Sequence, residues 1–323
     1  MVKRQKRVTI VNIAKKLGVN DSTVSRALSD SPEVSVAMKA KVRKLAKEMG
    51  YAKNPYANGL KTGRTGIIEL LYYSPAMYLH DDPMLLVIFD YFQHELKLRG
   101  YKAILNVVKN DGVISQEEHL IREIIADGTI VVKARMFSPE SLSKLNPQHC
   151  VLMDNAAPGF TTVNFDMDHT LDLIMKYSID KGYKNIVALM SAKYKNIYTL
   201  NERVLSYNRI TRKYQQSLAN LGVLKFVKDK TDIVSEIGKL KTVPDIVVGL
   251  NVRLTENLQI LKNLPMVILT NIAGDYKKYS NCLFIQLNWE GMVRESVDCL
   301  IGQLKGELQS PFQKLVKNSF VVE

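Results

Sequence analysis

A short polar segment near the amino terminus carries the side chains best suited to contacting nucleic acid. Between Asn20 and Ser29, small hydroxyl groups surround one arginine, at Ser22, Thr23, Ser25 and Arg26. Hydroxyl groups bond to phosphates and base edges, and the forked guanidinium of Arg26 can bind two acceptors of one base together. Placed on the exposed face of a helix, these residue types predict a DNA-reading surface.

Catalytic motifs are missing from the sequence. It contains no Walker loop, no G-x-G-x-x-G after a predicted strand, no G-x-S-x-G and no H-E-x-x-H. The 5 histidines are scattered singly, and the 3 cysteines lack C-x-x-C spacing. Asp166-x-Asp168 precedes a predicted helix, where helix capping explains it better than metal binding. We therefore predict that the protein is not an enzyme and holds no cofactor or metal.

Charge separates the first 66 residues from the rest. Through Gly66 there are 15 Lys and Arg against 4 Asp and Glu, a net charge of +11, whereas the remainder has 30 against 28. A basic patch confined to one small module is typical of nucleic-acid binding. No signal-peptide h-region follows the basic start, and no apolar run approaches the ~20 residues of a membrane helix. We expect a cytoplasmic protein without membrane association.

The elements that position the polar segment form a helix-turn-helix. Thr9 can cap a helix over 10–17, and Gly18 suits the left-handed stop after it. Asn20 then caps a helix over 21–28, so the join is short enough for the tight turn of this motif. A three-helix bundle without a DNA role is the alternative, but the charge and the exposed chemistry favour DNA binding.

A third helix completes this module. It begins after Ser35 and ends before Gly50, and its apolar positions recur every three or four residues, at Met38, Val42, Leu45, Ala46 and Met49. Beyond it, residues 54–63 have Asn54 as a cap and Pro55 at the first helical position. This helix is marginal, because it is short and its internal Gly59 costs ~1 kcal/mol relative to alanine. An ordinary linker is the alternative.

From residue 66 onward, short apolar segments alternate with amphipathic ones. Strands are predicted at 67–71, 103–105, 129–132, 150–153, 186–189, 246–250 and 266–269. Helices are predicted at 84–99, 116–126, 169–181, 210–221 and 254–261, with a final helix opened by Trp289. This alternation predicts an α/β fold with parallel sheets covered on both faces and ligands beyond the carboxyl ends of strands.

The amino-terminal motifs resemble the headpiece of the LacI/GalR (lactose/galactose repressor) family over about sixty residues. They are Val8-Thr9-Ile10-x-x-Ile13-Ala14, Gly18-Val19, Ser22-Thr23-Val24-Ser25-Arg26-Ala27-Leu28, Val34-Ser35, Lys41-Val42, Gly50-Tyr51 and Asn54-Pro55. The resemblance implies an all-α headpiece (1–50), a hinge helix and linker (51–65) and a periplasmic-binding-protein-like core (66–323). The core would hold two doubly wound parallel-sheet subdomains, an N-subdomain of about 66–163 and 288–316 and a C-subdomain of about 164–287 and 317–323.

The resemblance also implies roles for individual residues in DNA binding. Asp21, Ser22 and Arg26 would face bases, and two hinge helices would pair across a dimer in the minor groove, with Leu60 as an apolar wedge. The full predicted contact set is Thr9, Asn20, Asp21, Ser22, Thr23, Ser25, Arg26, Ser29, Tyr51, Asn54, Ala57 and Leu60. Asp21 could accept a hydrogen bond from cytosine or reject wrong sequences by repelling phosphates.

Candidate effector contacts lie at strand ends and at the one tryptophan. Asn251 and Asn271 end predicted strands, where each could bond a hydroxyl pair or serve only as a turn residue. Trp289 lies seven residues before Ser296, where the family presents an aromatic ring to a sugar, although core packing is the alternative. The predicted effector set is Tyr73, Asp81, Asp82, Arg209, Asn251, Asn271 and Trp289, of which the first three resemble galactose-type repressors.

The expected sugar-binding arginine is displaced in this sequence. The family has an arginine three residues before a glycine–aromatic pair. Alignment on Tyr214 puts Ile210 at that position, with Lys213 replacing the glycine. Either Arg209 takes the role or the cleft has lost this anchor.

Together these features predict a homodimeric repressor of carbohydrate-utilisation genes. It would bind a palindromic operator in double-stranded DNA and be released by a small sugar or sugar derivative. Two alternatives are a regulator of the same fold gated by a protein corepressor and a sugar-binding protein without a DNA role. The sequence does not decide whether the effector is an inducer or a corepressor. It also does not decide whether the protein is a dimer or a tetramer.

Overall fold

A computed structural model of the chain describes residues 8–51, 64–74, 82–109, 126–133, 137, 139–191, 198–219, 223–227, 230–250, 264–270 and 281–320. The chain divides into two compact units, Met1–Thr65 and Gly66–Glu323. The first unit is all-α in its described part, and the second is α/β.

Three helices form the described part of the amino-terminal unit: α1 Ile10–Leu17, α2 Asp21–Leu28 and α3 Val36–Glu48. Gly18 ends α1 with φ 66°, and the next amide, that of Val19, donates to the Ala14 carbonyl at 3.1 Å. Ser35 accepts from the Met38 amide at the start of α3. The helix-turn-helix and third helix predicted from the sequence are confirmed.

A small apolar core holds these helices together. Its buried members come from all three helices and the α2–α3 loop, and they are Ile13, Ala14, Val24, Ala27, Val34, Val42 and Ala46. Met38, Leu45 and Met49 pack against this core while partly exposed. The apolar stripe of α3 predicted from its spacing therefore faces the other two helices.

The larger unit contains two six-stranded sheets among its described residues. The first sheet has the order β11-β5-β4-β3-β1-β2 and is parallel in each recorded pair. Its strands are β1 Ile67–Ser74, β2 Lys102–Lys109, β3 Gly128–Val132, β4 Cys150–Met153, β5 Thr161–Phe165 and β11 Gln313–Val316.

The second sheet has the order β12-β10-β9-β8-β6-β7 and is parallel except where β12 pairs with β10. Its strands are β6 Ile186–Ser191, β7 Val223–Val227, β8 Ile246–Gly249, β9 Met266–Thr270, β10 Cys282–Gln286 and β12 Ser319–Phe320. The accompanying helices are α4 Pro83–Leu98, α5 Pro139–Ser143, α6 Met167–Asp180, α7 Tyr198–Lys213, α8 Lys230–Gly238 and α9 Trp289–Lys305, with a 3-10 turn at Pro147–His149.

Helices bury the faces of both sheets. α9 packs on α4 and on β3, β4 and β5, whereas α6 packs on α7. One large apolar cluster spans this layer, from Ile68 of β1 and Phe92 of α4 to Val248 and Ile285 in the second sheet. The two-sheet α/β core expected from the alternating pattern is thus present.

The chain passes between the sheets three times in its described part. α6 connects β5 to β6, α9 connects β10 to β11, and residues 317–318 connect β11 to β12. The boundary between the sheets on the first pass follows Phe165, the last residue of β5.

Some sequence-based elements need correction. The helix predicted at 210–221 is wrong, because α7 covers Tyr198–Lys213 and residues 214–217 form turns. The pattern also missed β5, β7, α8 and β11, whose short segments mix polar and apolar residues. The predicted helices at 116–126 and 254–261 lie outside the described residues, apart from Ala126. None of the described helices is long and apolar enough to cross a membrane.

Candidate DNA interface and effector cleft

The polar segment predicted to read DNA lies on α2. This helix buries Val24 and Ala27 and leaves Asp21, Ser22 and Arg26 exposed. Of the other predicted contacts in the described residues, Thr9, Asn20 and Ser29 are exposed, and Thr23, Ser25 and Tyr51 are partly buried. One face of α2 is therefore available for contacts outside the chain. The roles of the individual residues stay predictions.

Local hydrogen bonds orient several of these groups. Asn12 Oδ1 accepts from the Thr9 backbone amide at 2.9 Å and from Thr9 Oγ1 at 2.8 Å. Asp21 Oδ1 accepts from the Ser22 amide at 2.8 Å, which places its charge at the positive end of α2. Asp21 therefore also stabilises the helix start, in addition to either role predicted for it at DNA.

Two acidic residues of the α2–α3 loop pair with basic ones. Arg26 Nε lies 3.1 Å from Glu33 Oε2, and Asp30 pairs with Lys39 and Arg43. The hydrogen bond from Lys39 lowers the pKa of Asp30, with charge attraction from both cations adding to it. Sequence reasoning missed Glu33, because a loop acid seven positions from Arg26 gives no periodic signal.

The hinge positions and one tyrosine complete the predicted DNA contacts. Tyr51 packs against the headpiece core and its amide donates to the Ala46 carbonyl at 2.8 Å. Burial raises the pKa of the Tyr51 hydroxyl. Asn54, Ala57 and Leu60 lie outside the described residues.

A cleft of about 220 Å³ lies beside the first sheet in the larger unit. Its walls are residues at the carboxyl ends of β4 and β5, the start of α6, one face of α7 and the edge strand β11. Ligands of parallel sheets bind beyond the carboxyl ends of the strands, so this is the expected place for one. Phe165, Met167 and Leu315 give the cleft an apolar part.

Two arginines from α7 reach the cleft in different ways. Arg203 is only 8% exposed, and its Nη1 donates to the Leu250 carbonyl at 2.7 Å. The Arg209 side chain is exposed and forms an ion pair with Asp168. The hydrogen bond from Arg209 is the main cause that lowers the pKa of Asp168. Arg209 also donates to Ser206 Oγ at 3.2 Å.

The position of Arg203 allows a second alignment beside the one made on Tyr214. Arg203 lies three residues before Ser206-Tyr207, which is the spacing of the arginine and the glycine–aromatic pair with serine in place of glycine. Tyr207 is fully buried, whereas Tyr214, used for the first alignment, lies beyond the end of α7 and bonds Asp172. Searching for an arginine before a small–aromatic pair would have found Arg203.

One buried polar atom along the cleft has no partner among the described residues. Asn164 is 8% exposed and lines the cleft, and its Oδ1 makes no hydrogen bond in the described structure. Asp166 beside it caps α6 by accepting from the His169 amide at 2.9 Å. Because buried acceptors are normally satisfied, Asn164 Oδ1 is suited to accept a hydrogen bond from a hydroxyl group of a bound molecule.

The remaining effector candidates are placed differently from one another. Trp289 is 8% exposed and packs edge-on against Phe165, with ring centroids 5.0 Å apart, so Phe165 and not Trp289 faces the cleft. Tyr73 lies on another face, edge-on to Phe137, and does not reach this cleft. Asp82 accepts from Tyr72, Ser74 and Lys133.

Asp81, Asn251 and Asn271 lie outside the described residues. Arg209 is thus the only member of the predicted effector set, among those described, that lines the cleft.

Comparison with known proteins identifies the chain. The family model described as "Bacterial regulatory proteins, lacI family" matches residues 9–54, which include α1, α2 and α3. This match confirms the resemblance of the chain to the LacI/GalR family. Like its relatives in this family, it is a DNA-binding transcriptional regulator and not an enzyme.

The similarity to relatives in this family extends beyond the headpiece. The chain is 25% identical to the HTH-type transcriptional regulator MalR of Staphylococcus xylosus, over 75% of this chain and 72% of that protein. It is 27% identical to the ribose operon repressor of Escherichia coli K12, over 56% of this chain and 55% of the relative. The chain thus spans only about half of the second relative.

Solved structures of the LacI/GalR family share the fold. The lac repressor dimer bound to operator and the anti-inducer ONPF matches with a TM-score of 0.74 at 16% identity, covering 98% of each chain. The complex of the transcriptional regulator CelR with cellobiose matches with a TM-score of 0.60 at 17% identity, covering 98% of this chain and 99% of that one. At these identities the likeness concerns the fold alone.

Proposed function

We propose that this LacI/GalR regulator is a homodimeric repressor that binds a pseudo-palindromic operator and is released by a small sugar-type effector. The two headpieces of a dimer would each read one half-site, so the symmetry of the operator would mirror that of the protein. The lac repressor structure is that of a dimer on operator with a small molecule, which is the same arrangement.

The cleft at Asn164 and Arg203 carries the effector part of the proposal. It combines an apolar wall at Phe165 with a buried guanidinium and an unsatisfied amide oxygen, which suits the C–H faces and hydroxyl groups of a sugar ring. Its volume of about 220 Å³ is below the ~300–1,000 Å³ of drug-sized sites, so we expect a ligand with one ring.

Contacts with both halves of the core give the effector a means of acting. Asn164 and Leu315 belong to the first sheet, whereas Arg203 lies on α7 and bonds the chain just after β8 of the second sheet. A ligand that touches both halves favours one arrangement of them over another. A coupling free energy of about 1–3 kcal/mol between effector and DNA is enough for regulation.

The hinge segment is the proposed link between core and DNA. The helix predicted at 54–63 is marginal, so a small change at its ends decides whether it forms. Effector binding would disfavour the paired hinge helices and so weaken operator binding. The insertion of Leu60 between base pairs belongs to the same proposal.

The test is selection of bound duplexes from a random pool, followed by a panel of sugars. We expect enrichment of a pseudo-palindrome and loss of binding to it with one of the sugars. Failure to enrich any palindromic site would refute operator binding. Enrichment without a sugar response, together with no sugar-linked change in melting temperature, would refute the sugar effector and favour gating by a protein corepressor.

A further inference from the structure

The ion pair between Arg26 and Glu33 leaves part of the guanidinium available. Glu33 Oε2 lies 3.1 Å from Arg26 Nε, and the Arg26 side chain is 56% exposed. A guanidinium has five N–H donors in a planar fork. With its Nε edge facing a carboxylate, the two terminal nitrogens Nη1 and Nη2 are the pair that can bind a second planar acceptor.

The loop that carries Glu33 is held on the headpiece from both sides. On one side, the Ser31 amide donates to the Arg26 carbonyl at 3.0 Å, and Asp30 pairs with Lys39 and Arg43 of α3. On the other side, Val34 is 9% exposed and belongs to the headpiece core. Glu33 itself donates its amide to Ser31 Oγ at 3.4 Å.

These contacts therefore hold the backbone of Glu33 beside the end of α2, with its carboxylate within reach of Arg26. A long arginine side chain samples many rotamers when it is free, and a neighbouring carboxylate in a fixed position reduces that number. The pair is exposed at both ends, so it adds little to the stability of the headpiece. Its effect falls instead on where the Arg26 fork points.

We propose that Glu33 is a positioning residue that orients Arg26 to bind a guanine through Nη1 and Nη2. Guanine offers two acceptors, N7 and O6, at the spacing of an arginine fork, and this contact discriminates against the other bases. The Glu33 carboxylate also repels phosphates, so it weakens binding to any duplex where Arg26 gains no base contact. Glu33 thereby raises the ratio of specific to non-specific binding. The inference rests on the proposed operator binding.

The test compares Glu33→Gln with Glu48→Gln in the full chain. Both substitutions remove one exposed negative charge from the headpiece, but Glu48 lies at the end of α3 and makes no recorded ion pair. The operator comes from the random-pool selection, and each guanine in a half-site is replaced in turn. Arg26 reads the position where replacing the guanine weakens DNA binding by the unaltered protein but not by the Arg26→Ala variant.

At that position we expect Glu33→Gln to lower the preference for guanine about five- to tenfold, whereas Glu48→Gln leaves it unchanged. In the Arg26→Ala background, Glu33→Gln should have no further effect on the preference. Melting temperature should be the same for both glutamine variants, because a purely structural role for Glu33 would change it.

Two results would overturn the inference. The first is an equal rise in affinity for all duplexes with both variants, which would mean that Glu33 acts only through its charge. The second is an unchanged guanine preference in Glu33→Gln. If the unaltered protein enriches no palindrome, operator binding itself fails and the inference fails with it, which is a result distinct from the other two.

Discussion

Arg209 and Asp168 form a two-point ion pair beside the cleft, with 2.8 Å from Nε to Oδ2 and 2.6 Å from Nη2 to Oδ1. The fork of Arg209 is thus occupied by a carboxylate of its own chain. Arg203, six residues earlier on α7, lines the same cleft and is buried. Arg203 also lies three residues before the small–aromatic pair Ser206-Tyr207, which makes it the better candidate to bind an effector.

We predict that Arg203→Lys weakens effector binding about tenfold or more, because a lysine cannot donate in parallel from a planar fork. Arg209→Lys, which can keep a single contact with Asp168, should change effector affinity far less. Titration calorimetry with the sugar found in the panel measures both. Operator binding without effector is the control and should be retained. An equal loss of effector affinity in the two variants would mean that Arg209 binds the effector as strongly as Arg203 does.

The burial of Glu69 leads us to predict an unusual dependence of protein stability on pH. It is 5% exposed on β1 and accepts from Asn106 Nδ2 and Thr129 Oγ1, each at 2.9 Å. Burial raises its pKa, and the two hydrogen bonds oppose that shift. As pH rises above the usual pKa of glutamate, Glu69 ionises in the unfolded chain before it ionises in the folded protein. The folded state therefore loses stability until the pH passes the raised pKa of Glu69 in the folded protein.

Glu69→Gln removes this loss, since an amide stays neutral. We expect the melting temperature of the core to rise by a few degrees at pH 7 and to change little near pH 4. The exposed Glu140→Gln is a matched control that should be neutral at both pH values. A lower melting temperature at pH 7 for Glu69→Gln would show that the hydrogen bonds to the carboxylate outweigh the cost of burying it.

Gly18→Ala should destabilise the headpiece by about 1–2 kcal/mol, because φ is 66° and an alanine is strained in the left-handed region. Its Cβ would meet no atom within 4 Å, so the strain is confined to the backbone. Thermal unfolding and operator affinity both report the loss. Gly238→Ala is the control for adding a methyl group, since Gly238 has no positive φ and equally open surroundings. A neutral Gly18→Ala would contradict the proposed strain.

Leu60→Ala tests the hinge. If Leu60 is inserted between base pairs, specific binding should fall well beyond non-specific binding, because the wedge acts only on bent operator DNA. Filter binding or fluorescence anisotropy at two salt concentrations separates the two modes. Equal losses in both modes would argue for an ordinary linker.

How far the sequence predicts the molecule depends on the kind of feature. The helices on either side of Gly18 follow from caps and apolar spacing within a few residues, so local chemistry is enough to place them. The long apolar segments, such as that at Ile246, likewise predict strands. β5, with two threonines and an asparagine in Thr161–Phe165, becomes a strand only through its pairing with β4 and β11.

The effector cleft was less predictable for a related reason. With Ser206 in place of glycine, the segment around Arg203 does not match a glycine–aromatic pair, and the alignment on Tyr214 points to Arg209 instead. The packing of Trp289 behind Phe165 depends on α9 and β5, which are more than a hundred residues apart in sequence. The partner of Arg26 likewise depends on how the α2–α3 loop folds back, which no spacing rule provides.

The three passages of the chain between the two sheets limit how the protein can be dissected. A fragment ending after α6 would lack β11, the edge strand beside β5, and a fragment starting there would carry β11 without its sheet. Neither half of the core is thus a continuous segment, and neither should be recovered as a separately folded product of proteolysis or truncation. Cleavage near Thr65 is different, because the two units are continuous in sequence on either side of that residue.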